Sequence, residues 1–518
     1  MEKYYYGIPP VPEEIKRVYD FCIIGSGASG SIAADKLVKN GFSVLMLERG
    51  PYVKTGVSYD EILRSAELAY ARMENGAWAF NGYPWSTCNV GGGTVFYGGV
   101  SFRYKEIDFD VSHLLANTGL SLKWPYTYSE LSPFYEEVEQ VLGISGNPIA
   151  DPFCPYDHYH LPNSPIDYSP QAEILYKAGI KLGLNPFPTP LAILSKDYNG
   201  RKKCNNSSPC IEYQCVNDSK SDSLMFLNHL SKSKSLFTIF AGMNAIKLNR
   251  NKENNINSVT CTHVVNQEIY EFKAKNFIIA CNAIQSARLL LNSRDQWSKK
   301  GIGNNHNMVG KTFCQKLSGY VTGYLPSSGK KYSNLNNIGP FSTIAFTDYY
   351  ISDDFPFKLG GLIYEAKYGF AYTNYQDALV IRLECMISDI PDKRNSIQVN
   401  ESDNKVIIDY NPHPLDLIRL NKLMKKAANI LKEAGCEGIL LESSGFGLGS
   451  CHLHGTCRYS NNEKEGVIDA NSKVYGVSNL YIIDGSFMPY SGSVNPTLTI
   501  QAHALKTVHH LIQINKKG

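Results

Sequence analysis

The sequence has no run of about eighteen uncharged apolar residues, the length a membrane-crossing helix needs, so a transmembrane segment is not expected. It also lacks an excess of either charge. Lys and Arg total 51 against 48 for Asp and Glu, a net charge of +3, which leaves no field able to gather phosphate backbones and excludes a nucleic-acid partner. The opening residues, MEKYYYGIPPVPEEIKRVYDFCIIGSG, contain neither an apolar leader core nor a small-residue cleavage site, so the expected location is cytoplasmic. Thirteen cysteines, an odd number with no CxxC pair among them, argue for reduced thiols rather than a disulfide framework. Internal repeats and low-complexity segments are absent too.

What is present is enough apolar sequence, 43% over 518 residues, to bury a large core in more than one domain. The run from Tyr19 to Ile24 reads as a short buried strand, followed by a glycine-rich turn, a helix over roughly Ser29 to Asn40 and a strand from Ser43 to Leu47. Within this βαβ unit Gly25-Ser26-Gly27-Ala28-Ser29-Gly30 follows a strand and opens a helix, and Glu48 ends the next strand. In that context each part serves a purpose, namely a tight turn, a close approach of backbone to pyrophosphate, helix-on-strand packing, and a carboxylate for a ribose hydroxyl. NAD and FAD are not separated by this motif alone. A second cluster, Gly91-Gly92-Gly93-Thr94 with Tyr97-Gly98-Gly99, offers more unobstructed backbone N–H groups, and two such clusters on one long ligand favour FAD. Arg49, next to Glu48, and Cys281, after the buried strand NFIIA at 276–280, complete the expected contacts at this end.

Residues 148–199 are rich in Pro, Tyr and Asp, with helical periodicity near Gln171 to Leu182. Strands are expected at Ala378 to Cys385 and Lys405 to Tyr410, and a helix over Asp416 to Ala434. The last stretch, a strand at Asn479 to Ile483 and a long helix from Thr497, returns to the character of the first. We therefore expect an α/β chain: a Rossmann-type FAD-binding domain from 13–155, 201–309 and 443–518, interleaved with an α+β substrate-binding domain on an antiparallel sheet from 156–200 and 310–442. Tyr349, Tyr350, Tyr364, Phe370, Tyr372 and Tyr375 make the second domain aromatic; such side chains can stack on sugar faces or line an apolar tunnel, but in an antiparallel sheet they are more often core.

Near the end of the chain stand His452-Leu453-His454-Gly455-Thr456, Asp484-Gly485 and Asn495-Pro496-Thr497. A proline in the first turn with Asn495 at the N-cap joins an amide side chain to a helix N-terminus, which favours developing negative charge. Oxidising an alcohol needs a base for the hydroxyl proton, and imidazole titrates in the right range.

In order along the chain, GSGASG with Glu48, VGGGTVFYGG, NFIIACNAIQSARLLL (276–291), DIPDKRNSIQV (389–399), HLHGTC and NLYIIDGSFMPYSGSVNPTLTIQAHAL (479–505) resemble the glucose-methanol-choline (GMC) oxidoreductases. The resemblance implies FAD, His452 as the active-site histidine that opens HxxGT, and Asn495 as the second member of the catalytic pair. It also implies that Asp484, Gly485, Pro496 and Thr497 line the flavin and that Ala245 meets the adenine. His454 matches no catalytic position. Ser286 and Arg288 match a structural signature. Where some relatives bind FAD through a histidine, no His occurs between Trp85 and Arg103, so non-covalent FAD is expected. The implied substrate is a small-molecule alcohol and the acceptor O₂ or another oxidant. Within the same fold, a hydroxynitrile lyase or light-driven decarboxylase is the alternative. Cys204, Cys210 and Cys215 lie closer together than other cysteines, but their loose spacing and the lack of an evident fourth ligand favour thiols near the flavin or packing over a zinc or iron–sulfur site.

Overall fold

The computed structural model describes residue 8 and residues 17–53, 70–72, 78–80, 86–115, 119–154, 160–206, 210–211, 215–326, 339–367, 378–400, 405–443 and 450–517. Phe370, Tyr372, Tyr375 and Trp85 lie outside these.

Strands covered on both faces read as unbroken apolar runs. Phe21 to Ile24 and Val44 to Leu47 are such runs, fully buried, and they sit at the centre of a parallel array. Its strands stand in the order Phe237–Ala241, Val44–Glu48, Val18–Ile24, Ile269–Ile279 and Leu480–Ile482. The strand Ile269–Ile279 is shared: its C-terminal part pairs with Leu480–Ile482, its N-terminal part with the antiparallel hairpin Met243–Arg250 and Ile256–His263. Both ends of the chain thus enter one sheet. The helix Thr497–Lys517 packs against the helices Ala28–Lys39 and Tyr128–Leu142, which closes that face.

A second sheet of six strands is antiparallel throughout: Glu437–Ser443, Leu317–Pro326, Ala378–Ile387, Leu362–Glu365, Ile344–Phe346 and Phe187–Pro188. Side chains alternate between its faces. One face is covered by the helix Pro414–Glu433, which comes so close that a Cβ on Gly319 would meet Met424 Sδ at 2.6 Å. The other face turns toward the C-terminal edge of the parallel strands. The helix expected from Asp416 begins two residues earlier, because Pro414 is preset for a first helical turn and His413 Nδ1 caps it by accepting from the Leu415 amide at 3.2 Å.

The last helix differs in the opposite sense. Thr497 is its first residue and the Pro496 carbonyl accepts its first turn's bond from the Ile500 amide, so Pro496, not Asn495, holds the N-cap position. Asn495 stands one residue further out, since the residue before a proline is held away from helical geometry.

Candidate active site

Every parallel strand ends at the same edge, and there a cavity opens. Ligands in such sheets bind beyond the carboxyl ends of the strands. Gly25 leaves its strand at φ +105, and a side chain there would strike the Ala280 carbonyl at 2.3 Å; one on Gly30 would strike the Gly25 carbonyl at 2.1 Å. Gly27 is different. A Cβ there would project into open space, with Gly92 Cα as its nearest atom at 4.0 Å. Gly25 and Gly30 are therefore glycines for packing, whereas Gly27 keeps the cavity floor clear.

The two glycine clusters are wired together. Glu48 Oε2 accepts from the Ser26 amide at 3.0 Å and its hydroxyl at 2.7 Å, Oε1 accepts from the Gly50 amide at 2.8 Å, and Ser26 Oγ accepts from the Gly91 amide at 3.0 Å. Gly25, Ser26, Gly27, Ala28, Ser29, Glu48, Arg49, Gly92, Gly93, Thr94, Tyr97, Gly98, Ala245, Cys281, Asp484, Gly485, Pro496 and Thr497 all line the cavity. Three expected contacts do not. Gly30 is pressed on Gly25, Gly91 spends its amide on Ser26, and Gly99, at φ +78, packs against Ile193. Asp484 accepts from Ser286 Oγ at 2.5 Å and from the Ser486 amide at 2.9 Å, so Ser286 helps to fix the cavity wall.

At the other end of the cavity His452 and Asn495 face each other, with Nε2 and Nδ2 3.4 Å apart. Ser450 Oγ accepts from the His452 amide at 3.2 Å and lies 2.9 Å from Nδ1, so it holds that side of the ring while Nε2 faces Asn495 in the cavity. Asn495 also bonds the Tyr364 hydroxyl, while among the described residues its Oδ1 has no partner. The motif itself is held by exchange of backbone bonds between His454 and Cys314 and by Thr456 Oγ1 on the Ala283 carbonyl at 2.6 Å. His454 points away, its Nδ1 on the His452 carbonyl at 2.9 Å. Burial, then the charge of Lys316, then His454 hold the His452 imidazole well below its ordinary range.

Lys316 escaped the reading of the sequence, because nothing local marks it. It is fully buried at φ +63, its ammonium donates to the Val494 carbonyl beside Asn495 and to Tyr104 Oη at 3.3 Å, and it lies 5.0 Å from the Tyr104 ring centre. Burial lowers its pKa to about 7 against the pull of Asp108 and Asp389. Glu384 was missed as well. It lies in the strand Ala378–Ile387 with Tyr320 opposite on one side and Tyr364 on the other, and all three line the cavity. The Tyr364 hydroxyl donates to Glu384 Oε2 at 2.6 Å. Of the other expected aromatics, the two that are described lie elsewhere: Tyr350 donates to Asp108 at 2.7 Å in the core, and Tyr349 lies under Lys426.

Cys204, Cys210 and Cys215 are free thiols, and among the described residues no group of three or more His, Cys, Asp or Glu is arranged to hold a metal. Burial raises Cys210 to about 11, and the Cys210 carbonyl accepts from Lys220 at 2.8 Å. Among the described residues no helix is long and apolar enough to cross a membrane.

The cavity fits a flavin dinucleotide on two grounds. Its floor at Gly27 is space that any side chain would fill, and its far end carries a buried, unpartnered Asn495 Oδ1 beside a helix N-terminus. Comparison with known proteins agrees. The chain is 42% identical to paromamine 6'-oxidase of Streptomyces fradiae, covering 95% of this chain and 91% of that one, and 41% identical to 6'''-hydroxyparomomycin C oxidase of Streptomyces lividus, covering 96% and 92%. Its fold is that of formate oxidase from Aspergillus oryzae, with a TM-score of 0.73 at 14% identity over 97% of this chain and 99% of that one. The GMC oxidoreductase models match residues 20–318 and 391–504, and the chain belongs to the GMC oxidoreductase family, FAD-dependent enzymes that oxidise alcohols.

Proposed function

We propose that this enzyme oxidises the CH–OH group of an amino sugar or similar amino alcohol, with His452 as the base and Asn495 as the group that orients the substrate oxygen. The opposition of His452 and Asn495 across the cavity, 3.4 Å apart, carries this reading. FAD, when bound, supplies the acceptor for the carbinol hydride. The neutral Nε2 takes the hydroxyl proton, and Ser450 on Nδ1 keeps the imidazole in the tautomer that can do so. Asn495 Nδ2 donates to the same oxygen and so aims the carbinol hydrogen into the cavity. The N-terminus of the Thr497–Lys517 helix, reached through Pro496 and Thr497, favours negative charge at this spot. The substrate class is supported by the two relatives above 40% identity, named paromamine 6'-oxidase and 6'''-hydroxyparomomycin C oxidase.

No residue between 86 and 103 is a histidine, which supports FAD held without a covalent bond. Acid precipitation tests this: the yellow colour is expected in the supernatant, and colour that stays with the protein would refute it. The reaction is tested by anaerobic titration of the holoenzyme with paromamine in the dark. Loss of the flavin's visible band is the expected result, and a spectrum unchanged by paromamine and by simple alcohols would favour a non-redox enzyme of this fold.

A further inference from the structure

We propose that Glu384 is the specificity residue of this site: its carboxylate, held between Tyr320 and Tyr364 on the cavity face of the antiparallel sheet, anchors an ammonium group of the substrate. The inference rests on the amino-alcohol reading above and gives it a residue.

The placement comes from register. Tyr320, Glu384 and Tyr364 stand opposite one another on three neighbouring strands, so their side chains share one face, and that face is the cavity wall. A carboxylate in the middle of a sheet is expensive to keep without a partner. One Glu384 oxygen, Oε2, receives the Tyr364 hydroxyl. Of the cations nearby, the Arg382 guanidinium lies 3.8 Å from the Tyr320 ring centre and 3.9 Å from Glu442 while its charge also acts on Glu384, and Lys316 donates to the Val494 carbonyl. Among the described residues that line the cavity, Arg49 is the one Lys or Arg, and it stands at the Glu48 end.

Burial raises the Glu384 carboxyl above the ordinary range, against hydrogen bonds from Tyr364 and Ser318 and the charge of Arg382. An ammonium seated against it from the cavity side adds a direct counter-charge and a charge-assisted hydrogen bond. Position adds to this. The chain Glu384–Tyr364–Asn495–His452 joins the carboxylate to the reacting pair, so a substrate that spans them presents its hydroxyl to His452 while its amine is held. A neutral polyol offers Glu384 only hydroxyl hydrogen bonds, without the opposite charge.

The test uses purified holoenzyme with two probes that differ in one group, methyl glucosaminide and methyl glucoside, and compares wild type, E384Q, E384D and Y364F by anaerobic flavin reduction and steady-state kcat/KM. In E384Q the amine-to-hydroxyl preference is expected to fall roughly 10- to 100-fold, the loss of one charge-assisted contact, with the change in KM. E384D is expected to recover part of it, and Y364F to lower kcat while keeping the preference. A wild type whose flavin is reduced equally well by both probes refutes the amino-alcohol reading itself. If wild type prefers the amine and E384Q, with its flavin band intact, keeps that preference, the anchor lies elsewhere. Equal kcat losses in E384Q and Y364F with unchanged preference would make Glu384 a positioning residue for Asn495 instead.

Discussion

The two walls of the cavity are built from different materials. On the parallel sheet the wall is largely main chain: the turns at 25–29 and 92–94, tied through Ser26 and Glu48, bring glycine backbone to the cavity. On the antiparallel sheet the wall is side chain: Tyr320, Glu384 and Tyr364 on three strands, with His452 and Asn495 on loops in front of them. Backbone suits a cofactor whose pyrophosphate is the same in every enzyme that uses it, whereas side chains can be exchanged strand by strand without disturbing the ladder. The difference teaches that cofactor and substrate selection are separable here.

The largest expected break falls on the side-chain wall. H452A removes the acceptor for the hydroxyl proton and is expected to slow anaerobic flavin reduction roughly 10²- to 10⁴-fold while flavin content stays at the wild-type level. Flavin reduction within tenfold of wild type would shift the base to another group. N495A, which loses orientation but not the base, is expected to cost less, on the order of 10- to 100-fold, about 1.4–2.7 kcal/mol in the barrier.

The backbone wall offers a sharper pair. In G30A the new methyl would sit 2.1 Å from the Gly25 carbonyl, so overpacking of about 1–3 kcal/mol should lower the melting temperature even without cofactor. In G27A the methyl enters open cavity, its nearest neighbour 4.0 Å away. The apoprotein is expected to melt like wild type while FAD affinity falls. Equal melting temperatures for both apoproteins would remove the distinction between a packing glycine and a ligand-clearance glycine.

These walls were not equally legible. Gly25 to Gly30 and Glu48 are close in sequence and their function depends on spacing, which a linear reading captures, as it captures two buried strands from two apolar runs with one helix between them. Gly30, Gly91 and Gly99 read like the other glycines of their clusters, because sequence shows that a residue is glycine but not which neighbour its missing side chain spares. Glu384 and Lys316 left no local signal. Glu384 sits in the run ALVIRLECMI, where alternation marks a face but not what that face meets, and its partners Tyr320 and Tyr364 are 64 and 20 residues away. His452 and Asn495 became visible through family resemblance, since 43 residues separate them and only the fold brings them together.

The smallest effect expected concerns Lys316, and its sign can be worked out. An imidazole must be neutral to accept the hydroxyl proton, so activity is lost on acidification as His452 takes up its own proton. Lys316 is protonated below about pH 7, and a cation nearby disfavours a second one. In wild type the acid limb of kcat/KM is therefore expected well below the ordinary imidazole value. K316M removes that cation and should move the limb to higher pH, yet not fully to the ordinary value, because burial, the largest cause of the depression, remains. K316R keeps the charge and should keep the limb. Both variants disturb the bond to the Val494 carbonyl that steadies the approach to Asn495, so both should lose some rate at every pH. A uniform loss in K316M with an unmoved limb would reduce Lys316 to a brace for that loop, and would leave burial alone to set the state of the base.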